Sequence, residues 1–306
     1  MAAQLIQYLP LTHTRATFRM VHKLSKNNVI CILDLEDSAQ DPFSLKNTQI
    51  IKSQARDKLI EYVNSDRFDR NIKTKLYIRI NGRHTPYFQS DLELINSLLN
   101  KDFPLEGLFI PKTEDLSDLI LVDKIVDTKL ELVPMIETKQ GFDNIDAILN
   151  TDLVNLFHYG HFDFALDIGQ WPFLDPNHSA YWNMIDALII KASQLKKSYV
   201  HTPFPFPSNH ELFWNMVHFM QDKYTLDKIY FCTLNAELSL SNPKNRNTKI
   251  NFIEYPTSKE ALTNEANKII HDYEEGRANK RSFGQSNDRF IPPHQYNAAK
   301  NFLDNE

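Results

Sequence analysis

The segment "CILDLEDSAQDP", residues 31–42, sets four carboxylates (Asp34, Glu36, Asp37 and Asp41) within eight positions, directly after an apolar run that reads as a buried strand. Single polar residues mark the ends of other apolar runs: Arg79 in "YIRING", Lys112 in "FIPK", Glu137 after "LVPMI" and Asp163 in "YGHFD". Carboxylates on neighbouring strand ends can share a hard cation such as Mg2+, with waters and substrate oxygens completing the octahedron. Glu137 and Asp163 have that pattern, although either could instead cap a helix or pair with a lysine. An arginine flanked by apolar strand residues must find an anion. Its planar fork suits a substrate carboxylate, and a buried salt bridge to one of the carboxylates after the second run is an equal alternative. His158, His161 and Asp163 form an H-x-x-H-x-D string, but period-two alternation turns the two histidines to opposite faces, which argues against a shared zinc.

Such residues act together only if the fold gathers them. Apolar runs occur at residues 5–10, 28–37, 75–82, 106–112, 130–138, 153–160, 197–206 and 228–234, which makes eight. Between them lie stretches of helical spacing, such as "SDLELINSLL", with a capping box at Ser90 and Glu93 and an apolar face of Leu92, Ile95 and Leu99. Strand-helix alternation with nearly continuous apolar strands predicts a parallel sheet, and eight repeats predict an α/β fold of the (β/α)8 TIM barrel type. No glycine-rich phosphate loop follows the first run, which disfavours an open dinucleotide-binding sheet. In a barrel the active site lies at the C-terminal ends of the strands. Asp37, Arg79, Lys112, Glu137 and Asp163 are separated by 42, 33, 25 and 26 residues, each near one strand-plus-helix unit, so all five are expected around one rim. The barrel is expected over residues 1–256. Residues 257–306 open with a second capping box (Thr257, Glu260), continue as the helix "KEALTNEANKIIHDYEE" and end in a polar C-terminal extension. The stretch "HTPFPFPSNHELFWNM" after the seventh run reads as a lid or cavity wall.

At 306 residues and 42% hydrophobic content the chain can bury a large core. Lys plus Arg number 34 against 39 Asp plus Glu, a net charge of −5 without a long basic run, so nucleic acid is not an expected partner. Two cysteines, Cys31 and Cys232, argue against a disulfide framework, and no membrane-length apolar run or secretory leader is visible. The expected location is the cytoplasm.

The ordered set "LDLEDSAQDP", "YIRING", "FIPKTE", "PMIETKQGFDNIDAIL" and "YGHFDFALDIG" resembles the HpcH/HpaI aldolase and citrate lyase β-subunit family. The similarity extends over nearly the whole chain, because "FIEYPTSKEALTNEANKIIHDYEEG" and "FGQSNDRFIPPHQYNAAKNFL" look like the final barrel helix and the C-terminal extension. The resemblance implies a Mg2+-dependent carbon-carbon lyase or aldolase with Glu137 and Asp163 as metal ligands. Arg79 would hold a substrate carboxylate or oxyanion, and Asp37 would lie near the reacting hydroxyl, supported by Asp34 and Glu36. Lys112, His13 and Arg15 are further candidates for substrate contact, and the family implies a homo-oligomer, a trimer or hexamer, whose extension reaches a neighbouring copy.

Three departures bear on the substrate. The extension reads "FIPPHQ", with Pro292 where relatives acting on acyl-thioesters carry an aspartate. Near the eighth run stands "FCTLNAELSLSNPK", with Asn235 and Glu237 in place of an I-H-P-x-Q string, and Leu11 replaces a glycine after the first-strand proline. The expected activity is therefore cleavage or formation of a 3-hydroxy-acid or hydroxyacyl thioester through a metal-stabilised enolate. The alternatives are an aldolase or condensing enzyme on a pathway-specific 2-oxoacid or sugar-like substrate, and a catalytically reduced barrel serving as a binding subunit.

Overall fold

The computed structural model describes residues 3–305, except 127, 226, 227, 242, 244, 256, 280–282 and 287. All eight apolar runs form strands: β1 (Gln4–Pro10), β2 (Ile30–Asp34), β3 (Leu76–Arg79), β4 (Leu105–Ile110), β5 (Glu131–Ile136), β6 (Leu156–Tyr159), β7 (Ser198–His201) and β8 (Ile229–Thr233). Each pairs in parallel with the next and β8 pairs with β1, which closes a (β/α)8 barrel. The helices are α1 (Thr14–Ser25), α2 (Leu45–Val63), α3 (Phe88–Leu99), α4 (Leu116–Ile125), α5 (Lys139–Asp143), α6 (Ile145–Leu149), α7 (His161–Asp167), α8 (Ser179–Gln194), α9 (His210–Lys223), α10 (Ala236–Leu240) and α11 (Lys259–Ala278). Among the described residues no helix is long and apolar enough to cross a membrane. Both cysteines are free and buried.

Alternation along each strand divides the core. One set of side chains, including Ile32, Tyr77, Phe109, Met135, Leu156 and Val200, fills the barrel interior. The other set, including Leu33, Ile78, Leu108 and Phe157, belongs to the outer core cluster that also contains helix residues such as Leu92, Ile95 and Leu98 of α3. Leu92 and Ile95 are fully buried, as their spacing predicts. The Ser90 cap is displaced, because α3 begins at Phe88 with Tyr87, three residues earlier, at its N-cap position. At the last barrel helix, Ser258 caps by accepting from the Ala261 N–H, one residue beyond the expected Thr257.

The C-terminal extension is structured. After α11 the chain forms an antiparallel hairpin, β9 (Gly284–Ser286) and β10 (Arg289–Ile291), and then α12 (Pro293–Asp304). The helices α11 and α12 share an apolar cluster of Ala266, Ile269, Tyr273, Ile291, Tyr296 and Ala299, in which Tyr273 stacks on Tyr296 at 4.5 Å between centroids. Ala298 packs with Ala165 of α7 and with Phe173. The Phe290 N–H donates to the Pro205 carbonyl at 2.8 Å, which fastens the hairpin to the loop after β7. The segment expected to be a polar tail is thus folded back over the mouth of its own barrel.

Gly107 sits where β4 passes between β3 and β5. A β-carbon there would lie 2.2 Å from the Glu131 carbonyl oxygen and 2.8 Å from Tyr77 Cε1. Because the nearer obstacle is backbone, Gly107→Ala is expected to destabilise the barrel by about 1–3 kcal/mol. The urea midpoint should fall with little change in slope, and an unchanged midpoint would contradict the packing described.

Candidate active site

The five expected residues all lie at the C-terminal mouth of the barrel. Asp37 follows β2, Arg79 ends β3, Lys112 lies two residues past β4 and Glu137 one past β5. Asp163 belongs to the first turn of α7 rather than to an extended strand end, where the positive pole of the helix favours a carboxylate. Asp37, Arg79, Glu137 and Asp163 line one cavity of about 470 Å3. Its upper walls are apolar: Phe162 from α7, Phe204 and Pro207 from the loop after β7, and Phe283, Phe290 and Pro292 from the extension. The aromatic-proline stretch after β7 is therefore a cavity wall, as expected.

Asp34 organises the charged end. Its Oδ1 accepts from the Glu36 N–H (3.0 Å) and Arg79 Nε (2.7 Å), and its Oδ2 from the Ser38 N–H (3.0 Å) and Arg79 Nη2 (2.7 Å). Burial alone would push this carboxyl up, but the Arg79 guanidinium overcomes it and holds the group below its ordinary range. Of the two readings for Arg79, the buried salt bridge is the one present here, with the fork taken by Asp34. The remaining nitrogen, Nη1, stands 2.8 Å from Glu36 Oε2 and donates to Asp37 Oδ2 at 3.2 Å. The end of β2 is braced from below by Lys52, which donates to the carbonyls of Leu35 (2.9 Å) and Glu36 (2.7 Å).

The second group of charges faces the first. Glu137 Oε1 accepts from the Lys112 N–H at 2.8 Å, with Lys112 in a left-handed conformation (φ 49°) that any side chain except glycine adopts reluctantly. Glu137 Oε2 lies against Gly160, where a β-carbon would stand 2.1 Å from it, so only glycine leaves that oxygen its place. Asp163 Oδ1 is 3.2 Å from Lys112 Nζ and 3.3 Å from His294 Nε2. His294 was not among the expected site residues. It comes from the first turn of α12 and reaches the cavity because the extension folds back. Donor atoms of Asp37, Asp163 and His294 lie within 4.8 Å of one another. His13 and Arg15, which the resemblance offered as anion ligands, are exposed beside the start of α1 and lie outside the cavity lining. β1 ends at Pro10 and turns at once into a short 3-10 helix, Leu11–His13.

The electrostatic balance is negative. Asp34, Glu36, Asp37, Glu137 and Asp163 face Arg79, Lys112 and His294, with Lys52 beneath. Burial and the neighbouring Asp37 raise the Glu36 carboxyl from 4.5 to about 8. Burial, Asp163 and Glu36 likewise raise Glu137 well above the usual range. Asp163 is held low: burial opposes its charge, but His294 and Lys112 outweigh it. His294 rises from 6.5 to about 9, where Asp163 overcomes the cost of burying its charge. Raised proton affinity at Glu36 and Glu137 marks a site short of positive charge, and hard carboxylate oxygens suit a cation such as Mg2+. The donor set therefore fits a divalent metal, with Glu137 and Asp163 facing the same space and Asp37 beside them.

The family model of HpcH/HpaI aldolase/citrate lyase matches residues 20–187. No curated protein matches the chain. Among solved structures, RipC from Yersinia pestis is 20% identical with a TM-score of 0.56, covering 78% of this chain and 92% of that one. CitE from Mycobacterium tuberculosis in complex with magnesium, acetoacetate and coenzyme A is 15% identical with a TM-score of 0.59, covering 99% of this chain and 97% of that one. The M. tuberculosis citrate lyase β subunit with oxaloacetate and magnesium is 16% identical with a TM-score of 0.58, covering 78% and 94%.

The proton affinities set the pH response of the metal-free protein. Glu36 holds its proton more tightly folded (about 8) than at its ordinary 4.5, so stability falls as pH rises between those values. The His294 ion pair contributes fully below 6.5 and is lost as pH passes about 9, in the same direction. Asp34 and Asp163, with lowered values, act only in acid. Below pH 6.5 the buried His158, His161 and His201, lowered to about 3, 4 and 3, act in the opposite direction, because the unfolded chain takes up protons that the folded one refuses. The melting temperature in EDTA should therefore decline between about pH 7 and about pH 9, and excess Mg2+ should flatten the decline. A melting temperature that rises over this range would refute the charge balance.

Proposed function

The chain belongs to the HpcH/HpaI aldolase/citrate lyase family of carbon-carbon lyases, and on that footing we propose that it makes or breaks a bond beside an enolisable carbon of a small carboxylate substrate, with Mg2+ held by Glu137 and Asp163. The observation that carries the reading is the gathering of Asp37, Glu137 and Asp163 around one cavity at the barrel mouth, with donor atoms of Asp37, Asp163 and His294 within 4.8 Å of one another. The magnesium in the CitE complexes, which share this fold, supports the choice of ion. When bound, a divalent ion supplies Lewis-acid polarisation of a substrate oxygen and offsets the negative charge that develops there.

The chain's own residues do the rest. Glu137 is fixed by the Lys112 N–H at one oxygen and presents the other to the cavity beside Gly160. Arg79, held in orientation by Asp34, offers its Nη1 edge to a substrate carboxylate or oxyanion. Glu36 and Asp37 occupy that edge and yield it when the substrate enters. Glu36 exchanges its proton near neutrality, which matches a general acid-base group. Asp37 faces the cavity within reach of the reacting hydroxyl. Lys112 and His294 hold Asp163 from two sides, and the phenylalanine and proline walls keep water from the reacting centre. In this reading residues 1–256 form the catalytic barrel, and residues 257–306 close its mouth.

The substrate is a 3-hydroxy-acid or its thioester, or a pathway-specific 2-oxoacid. The second is favoured by Phe283, Phe290 and Pro292, which stand in the cavity mouth where a long carrier would leave. The test is Mg2+-dependent release of pyruvate, glyoxylate or an acetyl unit from a panel of hydroxyacyl-CoAs and 4-hydroxy-2-oxoacids. Glu137→Gln and Asp163→Asn should each lower turnover by at least about 100-fold and weaken Mg2+ binding. Gly160→Ala should do likewise without altering a charge, by displacing Glu137 Oε2. Turnover that persists in EDTA, or in either carboxylate variant, would refute the metal-assisted reading.

A further inference from the structure

Beneath the charged groups the cavity has a floor made of barrel-interior side chains, and two polar groups there have no protein partner. His158, on β6, is 1% exposed, and both its ring nitrogens lack a hydrogen bond among the described residues. The Tyr8 hydroxyl, on β1, is likewise buried and unpartnered. Both residues line the cavity, and their rings stand edge to face at 6.2 Å between centroids. Four other buried histidines are satisfied, while His294 at the rim pairs with Asp163 through Nε2 and leaves Nδ1 unpartnered among the described residues. His161 contacts the Leu174 carbonyl and the Tyr159 hydroxyl, His201 the hydroxyls of Tyr181 and Tyr199, His178 the Asp175 carboxylate, and His218 the Asn247 carbonyl. Buried polar groups in folded proteins are paired almost without exception, so an orphan that faces a cavity marks a place for something else.

We propose that His158 and Tyr8 form an uncharged binding position that takes a hydroxyl or carbonyl oxygen carried by the substrate in addition to the carboxylate received at Arg79 and the metal ligands. This rests on the metal-carboxylate reading above and specifies the substrate as a hydroxy- or oxo-acid with a second neutral oxygen. The position suits a neutral oxygen for three reasons. Burial keeps His158 uncharged (about 3) and Tyr8 protonated, so the pair presents donors and an acceptor but no net charge. The surrounding floor is apolar, with Phe109 packed edge-on to both rings at 6.3 and 5.9 Å and Met135 in the lining. The Arg79 guanidinium lies over the Tyr8 ring at 4.7 Å, which sets the floor directly under the arginine meant to receive the substrate anion. A second carboxylate would find its nearest cation already committed to Asp34.

The test is calorimetric titration of the full-length, Mg2+-saturated protein with acid pairs that differ by one hydroxyl, pyruvate with 3-hydroxypyruvate and 2-oxopentanoate with 5-hydroxy-2-oxopentanoate. In at least one pair the hydroxylated acid should bind about tenfold tighter. His158→Phe and Tyr8→Phe preserve the aromatic packing and should each abolish that preference while leaving the parent acid within about threefold of wild type. Circular dichroism checks that both variants fold, and Tyr8→Phe serves if His158→Phe does not. A wild type that prefers neither acid, or variants that weaken both members equally, would overturn the assignment and indicate that the floor holds only water. If no acid binds in the presence of Mg2+ although the protein is folded, the metal-carboxylate reading fails, and this proposal with it.

Discussion

The mouth of this barrel depends on the buried pair between Asp34 and Arg79. Four donors converge on the two oxygens of Asp34, two from Arg79 and two from the backbone that leaves β2. One interaction therefore fixes both the direction of the guanidinium and the course of the loop that carries Glu36 and Asp37. A buried pair of this kind gains little net stability, because desolvating two charges costs about as much as their attraction returns. Its role is geometric. It joins the ends of β2 and β3 so that the free edge of Arg79 and the next two carboxylates face the same space.

From that anchor the negative excess follows. Arg79 neutralises Asp34 and has only its outer nitrogen left for Glu36 and Asp37, while Lys112 and His294 serve Asp163 on the far side. Glu137 receives a backbone N–H and no full charge. The site thus contains a place where carboxylates are gathered more densely than their partners, which raises the proton affinity of both glutamates. Two backbone features keep the arrangement in register. Gly160 leaves room for Glu137 Oε2, and the left-handed turn at Lys112 aims its N–H at Oε1 while its ammonium reaches Asp163. These local strains lie where the chemistry is proposed, and the barrel strands on either side hold them in place.

The barrel was legible because its signal is local. Eight apolar runs separated by helical spacing are a one-dimensional property, and the polar residues that end those runs fall at the mouth by topology alone. The helix start expected at Ser90 moved three residues back, to an N-cap at Tyr87 without a side-chain cap, while that at Thr257 moved one residue on because Ser258 supplies the capping hydroxyl. Asp163 was expected at a strand end, but the chain turns into α7 at His161 and the aspartate reaches the site from the first helical turn. His294, His158 and Tyr8 were legible only in part or not at all. An imidazole in "FIPPHQ" acquires meaning when the hairpin of β9 and β10 is fastened to Pro205, a contact across 85 residues. The orphaned state of His158 is invisible in a sequence, since it consists of the absence of neighbours that only the fold could bring. His13 and Arg15, by contrast, stand exposed beside the start of α1 and outside the lining of the cavity.

The folded extension changes what the site can accept. In the resembled family, members acting on acyl-thioesters carry in this segment an aspartate that reaches a neighbouring copy; here Pro292 and His294 line the cavity, with His294 on Asp163. Pro292 stands where those relatives carry the aspartate, and proline cannot transfer a proton; His294, two residues on, places a basic group beside Asp163. In the proposed reaction proton transfer would fall to groups inside the barrel, with Glu36 as the candidate, while His294 adds positive charge at the cavity mouth. Apolar walls above, a charged rim below them and an uncharged polar floor form three successive environments along the cavity. A substrate that satisfies all three has a carboxylate near its middle, a second oxygen that reaches the barrel interior and hydrocarbon toward the mouth, which describes a branched or extended hydroxy-acid better than a carrier-bound acetyl unit.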